Sequence, residues 1–148
     1  MTIKRYLPFA LLALIALATA CSNQKNTAMS RGYHNLTAHF NVYFNGNESL
    51  KEGEALVITT NKNDYTRLLP VFEYSDPQNT AGVGSQMDRA IEKGVMLVAK
   101  HSITKKPKKK GKDGDSYYQA FYDQKDFNKW VDDAYLMIGK AHFYKREF

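Results

Sequence analysis

The sequence predicts an all-α protein built of helical hairpins that stack in the manner of an α-solenoid. Three observations lead to this fold class. Apolar side chains recur at steps of three and four residues in several stretches, which is the spacing of one helix face. Glycine, asparagine and proline separate these stretches. The content of 43% hydrophobic and 13% aromatic residues is enough for one modest core in a chain of 148 residues.

The first 20 residues have the features of a signal peptide. Lys4 and Arg5 precede an apolar segment of 12 residues, from 7 to 18, which is shorter than the roughly 20 residues that span a bilayer. Small residues at 18–20 then lead into Cys21, the single cysteine of the chain. This pattern resembles the bacterial lipobox, with Ala18 where leucine is usual. The alternatives are an ordinary cleaved signal peptide or an uncleaved anchor.

The lipobox resemblance implies that Cys21 is lipidated and becomes the first residue of the exported protein. Two or three acyl chains would anchor the protein stably, whereas one would hold it only weakly. Ser22 follows the cysteine, which by resemblance to other lipoproteins favours the outer membrane. The absence of an acidic cluster after Cys21 favours the periplasmic side. Residues 21–32 are then the lipidated cysteine and a flexible tether.

Residues 33–103 are predicted to form a helical region that resembles degenerate repeats. The first helix, over 33–45 with Ser30 as its cap, carries an aromatic stripe, and a turn at Gly46 and Asn47 leads into a second helix over 48–60. Its inward residues would be Leu50, Ala55 and Leu56. Residues 61–84 are predicted as turn, extended chain and loop. A further helix over 86–102, capped by Ser85, would bury Met87, Ile91, Val95 and Val98.

Residues 104–116 are predicted to be a disordered, lysine-rich loop, with six lysines between Lys105 and Lys112. The formal charge of the chain is +6, and loss of a leader that carries Lys4 and Arg5 leaves 19 basic and 15 acidic residues. The aromatic residues near the run would suit nucleic acid in a cytosolic protein. An exported lipoprotein has little access to nucleic acid, and contact with anionic lipid or an acidic partner is the remaining functional alternative.

The last segment, residues 117–148, is predicted to hold a short helix at 116–122 and the start of a repeat. Asp126 would cap the final helix, whose inward stripe would include Phe127, Val131 and Ala134. Within this helix four residues match the W-x2-L-G-x2-Y spacing of a tetratricopeptide repeat (TPR), two of them by similarity only. These predicted repeat-packing residues are Tyr135, Ile138, Gly139 and His142.

The spacing has a physical reason. Tyr135, Ile138 and His142 would fill the gap to a partner helix, and Gly139 would let that helix come close despite a helix-propensity loss of about 1 kcal/mol. A repeat takes about 34 residues and needs neighbours to bury its apolar face. We therefore expect a truncated first repeat at the front of a longer protein. A lone amphipathic helix that closes a small domain is the alternative.

Neither a catalytic set nor a metal site is predicted. His34 and His39 are five residues apart and do not share a helix face, so we expect them to be half-buried aromatic fillers. Asp113 and Asp115 begin like a calcium loop that then lacks its glycine and glutamate. The expectation is a protein that is not an enzyme, with no cofactor, no metal, no nucleic acid and no small-molecule substrate.

The chain resembles the N-terminus of the TPR lipoproteins of the Bacteroidetes gliding-motility and type IX secretion machinery, the SprE/PorW family. The lipobox, the segment 30–41 (SRGYHNLTAHFN), Tyr43 to Gly46 and residues 130–148 carry this resemblance. It implies an outer-membrane lipoprotein that faces the periplasm and acts as a scaffold for other components of the secretion machine.

Two other kinds of lipoprotein remain open as alternatives. One is a SusD-like, glycan-binding outer-membrane lipoprotein, and the other is a barrel-assembly-type periplasmic lipoprotein. Sugar binding needs rings that lie open on a concave surface, whereas the scaffold hypothesis predicts that Tyr33, Phe40 and Tyr135 are buried between helices. Since repeat folds are shared by proteins of many functions, the fold alone does not decide among them.

Overall fold

The computed structural model describes residues 25–72, 74, 76–108 and 116–147, and in these ranges the protein is all-α, as the sequence predicts. A long first helix contains α1 (Ala28–Thr37), a π-helical segment (Ala38–Tyr43) and α2 (Phe44–Thr60). The others are α3 (Pro77–Thr80), α4 (Gly84–His101), α5 (Ser116–Asp123) and α6 (Val131–Lys145). The signal peptide, Cys21 and part of the lysine-rich loop lie outside the described residues.

The predicted hairpin at Gly46 is wrong, because the chain runs helically from Ala28 through to Thr60. Thr27, three residues before the predicted cap Ser30, accepts a hydrogen bond from the Ser30 amide and starts the helix. Gly46 is buried inside α2, where a Cβ would lie 2.8 Å from Cε of Met137 in α6. The glycine therefore permits close packing of helices, and the packing outweighs its poor helix propensity.

The inward face of α2 also differs from the prediction. Leu50 is buried as expected, but Ala55 and Leu56 are exposed. The π-helical segment rotates the buried face of α2 about the helix axis, because each residue of a π-helix turns the backbone around that axis by a smaller angle than a residue of an α-helix does. The buried residues of α2 are Gly46, Ser49, Leu50, Gly53 and Val57.

Helix α4 lies at the centre of the fold and packs against both α2 and α6. Its buried residues follow helical spacing. Of the predicted inward residues, Met87 is fully buried, whereas Val95 is 54% exposed. Ile91 and Val98 are partly buried. The buried face is made by Met87, Ala90, Gly94, Leu97 and His101.

Two helices also approach closely where α4 meets α6. A Cβ on Gly94 would lie 2.5 Å from Cγ1 of Ile138 and 3.3 Å from the carbonyl oxygen of Ala134. Lys145 adds an ion pair between the two helices, with its Nζ 2.8 Å from Oδ1 of Asp88. The hydrogen bond to Asp88, together with one to Glu147, raises the pKa of Lys145 above its ordinary value. The pair α4 and α6 is thus held by small residues in its middle and by charge at one end.

The segment between α2 and α4 is largely irregular. Asp64 accepts hydrogen bonds from Thr66 and Arg67 in a polar turn. Helix α3, in the predicted loop, is a single turn capped by Asp76, whose Oδ1 accepts from the Gln78 amide at 2.9 Å. Asn79 in α3 donates to Asn61, which ties this segment to the end of α2.

A carboxylate organises the chain between α4 and α6. Asp126 accepts hydrogen bonds from the Ile103 amide at 3.0 Å and the Asn128 amide at 2.8 Å, and also from the hydroxyl of Ser102. The prediction that Asp126 caps the final helix is therefore wrong in detail, since α6 begins five residues later. Asp126 instead stabilises the exit from α4. Helix α5 lies nearby, with Phe121 in edge contact with Phe127 at 5.2 Å.

Candidate functional site

The four residues predicted to pack a TPR do not act as a set within this chain. Ile138 is partly buried and packs on Gly94, but Tyr135 is 58% exposed and Gly139 has no atom within 4 Å of a Cβ built on it. His142 lies at the surface, with its Nδ1 2.8 Å from the Glu147 carboxylate. The α6 residues that face α4 and α2 are instead Val131, Ala134, Met137 and Ala141.

One face of α6 is consequently apolar and largely exposed in the described structure, although the Phe143 ring at its end is in edge contact with Tyr74 at 5.1 Å. Tyr135, Leu136 and Phe143 are all exposed and lie along the helix with Gly139 between them. Helix α6 ends at Lys145, and its C-cap Arg146 has a φ of 61°, in the left-handed region, with its amide donating to the carbonyls of His142 and Phe143.

A second exposed apolar face lies on the first helix, opposite its packed side. His34, Ala38 and Val42 face the core, and most of the aromatic stripe predicted from the sequence points away from it, although Tyr43 of that stripe packs against the core. The predicted burial of Tyr33 and Phe40 is wrong for this chain, because they are 63% and 60% exposed. The outward stripe consists of Met29, Tyr33, Leu36, Phe40 and Phe44.

His34 and His101 form a buried pair between α1 and the end of α4. Their Nδ1 atoms are 3.1 Å apart and the rings meet edge to face at 5.3 Å. One ring has to donate a proton to the other, so the two imidazoles need different tautomers. Burial, together with the neighbouring His34 and Lys100, lowers the pKa of His101 below its ordinary value. The sequence analysis placed His34 among aromatic fillers and missed this pairing.

Asn128 lies beside the histidine pair and joins three segments. Its Nδ2 donates to the His101 carbonyl at 2.9 Å and, more weakly, to the His34 carbonyl at 3.4 Å. Its Oδ1 accepts from the Trp130 amide at 3.0 Å, which satisfies a donor at the start of α6. Asn128 is 4% exposed. The sequence carried a weak signal for this role, since asparagine side chains commonly accept from the amide two residues on in a turn.

The histidine pair predicts that the protein loses stability in mild acid. The pKa of His101 is lowered on folding, so the unfolded chain binds a proton more readily than the folded one. Stability is then complete above the ordinary histidine value of 6.5 and falls as the pH decreases through the lower folded value. Urea unfolding at a series of pH values measures this loss. We expect it to be smaller in His101→Gln, and an unchanged profile in that variant would contradict the assignment.

His39 behaves as the sequence predicts. It is partly buried, and its ring stacks on Trp130 at 3.8 Å with an interplanar angle of 5°. Tyr43 lies on the other side of this contact, 5.2 Å from the Trp130 ring. This stack joins the π-helical segment to the start of α6. A groove of about 630 Å³ is lined by Ser102, Thr104, Asp126, Asn128 and Tyr135 among others.

Within the described ranges, no cluster of three or more histidine, cysteine, aspartate or glutamate side chains has the geometry to hold a metal ion. In the same part of the chain, none of the helices combines the length and the apolar character that a bilayer crossing requires. Comparison with protein-family models and with curated protein sequences gives no match for the chain. The candidate site consists of the exposed apolar faces of the long first helix and of α6.

Proposed function

We propose that this protein is an outer-membrane lipoprotein that uses TPR-type helices as a protein–protein scaffold in type IX secretion and gliding motility. The exposed face of α6 is the observation that supports it most. Tyr135 and Gly139 match the repeat spacing and remain unused by the helices of this chain. A partner helix could approach Gly139 closely, with Tyr135 and Phe143 at its sides. Such a face suits the next helix of a repeat stack.

The lipid anchor forms the second part of the proposal. Cys21 follows a short apolar segment and small residues, and only the residues from 22 to 27 separate it from α1. We expect Cys21→Ser to abolish incorporation of labelled palmitate and to release the protein from the outer-membrane fraction. Mass spectrometry of the exported protein provides the direct measurement. A free thiol at Cys21 in that product would refute the anchor.

The scaffold role is tested by photo-crosslinking in intact cells. A photo-reactive residue at Tyr135 is expected to capture components of the secretion machine in envelope preparations. The matched control is the same residue at Tyr65, which is 82% exposed but lies in the irregular segment before α3. Equal capture at both positions, or capture of a sugar transporter with no secretion component, would argue against the scaffold.

The glycan-binding alternative gains support from one observation. Tyr33, Phe40 and Tyr135 are exposed, which the scaffold hypothesis did not predict. However, Tyr33 and Phe40 share their stripe with Met29 and Leu36 and lie on the outward side of a helix, whereas sugar sites combine a concave surface with polar groups that fix the ligand. Binding of soluble glycans to the purified protein, reduced in Tyr33→Ala and Phe40→Ala, would favour this alternative over the scaffold.

A further inference from the structure

We propose that the outward stripe of the long first helix rests on the surface of an anionic bilayer and orients the protein on the membrane that anchors it. The stripe contains Met29, Tyr33, Leu36, Phe40 and Phe44, and it extends over about 22 Å of helix. A helix with an apolar face of this kind lies in the plane of a membrane interface, where aromatic rings are favoured. This inference rests on the proposed lipidation of Cys21.

The length of the tether supports this position. Seven Cα steps separate Cys21 from Ala28, so the start of α1 lies within about 25 Å of an acylated cysteine even when the chain is fully extended. The apolar part of the outward face is also the part nearest the anchor. Beyond Phe44 the exposed residues of the next two turns are polar or charged, namely Asn45, Glu48, Lys51 and Glu52, before Leu56 and Ile58 are again exposed. The change from apolar to charged occurs along one continuous helix.

The charges near the stripe are complementary to anionic lipid. Residues 22–47 contain Lys25 and Arg31 and no aspartate or glutamate. The described part of the lysine-rich segment lies beside the start of α1, since Asn26 Nδ2 donates to the Lys105 carbonyl at 2.6 Å. Lys105 and Lys108 are exposed, whereas Lys106 donates to the Tyr122 and Gln124 carbonyls and Arg31 lies over the Phe121 ring. Lys25, Lys105 and Lys108 are therefore the cations offered to lipid. Each basic residue near an anionic surface contributes attraction that weakens with added salt.

A second copy of the chain suits this face less well than a bilayer does. It would present the same cations and the same lack of acidic side chains over residues 22–47, so charge complementarity would be absent. The anchor would also hold both copies at the membrane, where the lipid surface competes for the stripe. The bilayer is therefore the occupant that agrees with charge, tether length and the position of the apolar residues.

Depth-dependent quenching tests the proposal on the acylated protein in vesicles. Because Cys21 is the single cysteine and acylation blocks its thiol, one introduced cysteine can carry a fluorophore. A probe at Phe40→Cys is expected to be quenched several-fold more by brominated phosphatidylglycerol than a probe at Ile58→Cys. Ile58 is a matched control, since it is 62% exposed and lies on the same long helix. Equal quenching at both positions would overturn the proposal.

A charge substitution tests which surface is involved. Leu36→Glu together with Tyr33→Glu should remove the preferential quenching of the Phe40→Cys probe, while Ile58→Glu leaves it unchanged. Added salt should weaken the contact, and vesicles of phosphatidylcholine alone should quench the Phe40→Cys probe less. Self-quenching that rises with protein density and does not depend on lipid charge would instead indicate a second copy and overturn the membrane assignment.

The failure of the anchor and the failure of the surface contact are distinguishable. If mass spectrometry shows an unmodified thiol at Cys21, the exported chain is added to vesicles from solution. Sedimentation with anionic vesicles, about tenfold stronger than with neutral ones, would still support the contact of α1 with lipid. Absence of this binding, in a chain that retains its helical circular dichroism, would overturn the contact as well.

Discussion

Gly94→Ala is expected to lower the free energy of unfolding by about 2 kcal/mol, although alanine is the better helix former. The new Cβ would lie 2.5 Å from Cγ1 of Ile138, which is shorter than any ordinary carbon–carbon contact. Ile138 could rotate away, but the carbonyl oxygen of Ala134 at 3.3 Å belongs to the backbone of α6 and moves only with the helix. Overpacking costs about 1–3 kcal/mol, and we expect the upper end, about 3 kcal/mol, because the backbone of α6 has to move. The propensity gain of about 1 kcal/mol then leaves a net loss of about 2 kcal/mol.

Gly139→Ala is the matched control on the facing helix. The same atom is added in the middle of a helix, but nothing lies within 4 Å of its position. In the purified chain this variant should gain about 1 kcal/mol from helix propensity alone. Urea unfolding measures the free energy of unfolding of both variants, and the difference between them, about 3 kcal/mol, is the cost of overpacking at Gly94. Equal effects at the two positions would contradict the close approach of α4 and α6, whereas partial rescue of Gly94→Ala by Ile138→Val would support it.

The glycines show why the sequence predicts the fold class better than the topology. Local rules interpret Gly46 with Asn47 as a turn, because glycine is a poor helix former and a frequent helix terminator. In the structure Gly46, Gly53 and Gly94 all lie inside helices at positions where a side chain would collide with a neighbouring helix. That information depends on which helices meet, and no local window of the sequence contains it.

The aromatic stripe shows the same limit for burial. Periodicity indicates that residues share one face of a helix, but it does not show which face meets the core. On the long first helix the larger residues, among them Tyr33 and Phe40, are exposed to solvent, and the smaller Ala38 and Val42 are buried in the core. Small residues on the packed side let the long helix lie close to α4 and α6. The prediction of helices near 86–102, 116–122 and at the end of the chain is confirmed, with their bounds shifted by at most four residues.

The candidate surfaces were only partly predictable. The repeat spacing identifies Tyr135 and Gly139 in the sequence. Their exposure depends on which face of α6 packs against α4, and the structure shows this. The pairing of His34 with His101 spans 67 residues of sequence, and nothing local to either histidine indicates it. Prediction of such a contact requires the relative position of α1 and α4, which tertiary packing determines.

Asn128→Ala is expected to lower the free energy of unfolding by about 3 kcal/mol, a large effect for a single polar side chain. The substitution removes the acceptor for the Trp130 amide at the start of α6, a loss of about 1 kcal/mol. It also leaves the His101 carbonyl without its 2.9 Å donor at a buried position, which costs about 1–3 kcal/mol. Urea unfolding measures the sum of these two losses. The control is Asn41→Ala, at an exposed position of the first helix, which should change the free energy of unfolding by less than about 0.5 kcal/mol.

Asn128→Asp separates the two roles of the side chain. Aspartate keeps an acceptor for the Trp130 amide and is itself a good helix cap. Its second oxygen, however, would face the carbonyl oxygens of His101 and His34, where the asparagine now donates. Because a buried carboxylate against two acceptors is unfavourable, we expect Asn128→Asp to be at least as unstable as Asn128→Ala at pH 7. Near-normal stability of Asn128→Asp would show instead that capping of α6, and not the donor to α4 and α1, is what Asn128 contributes.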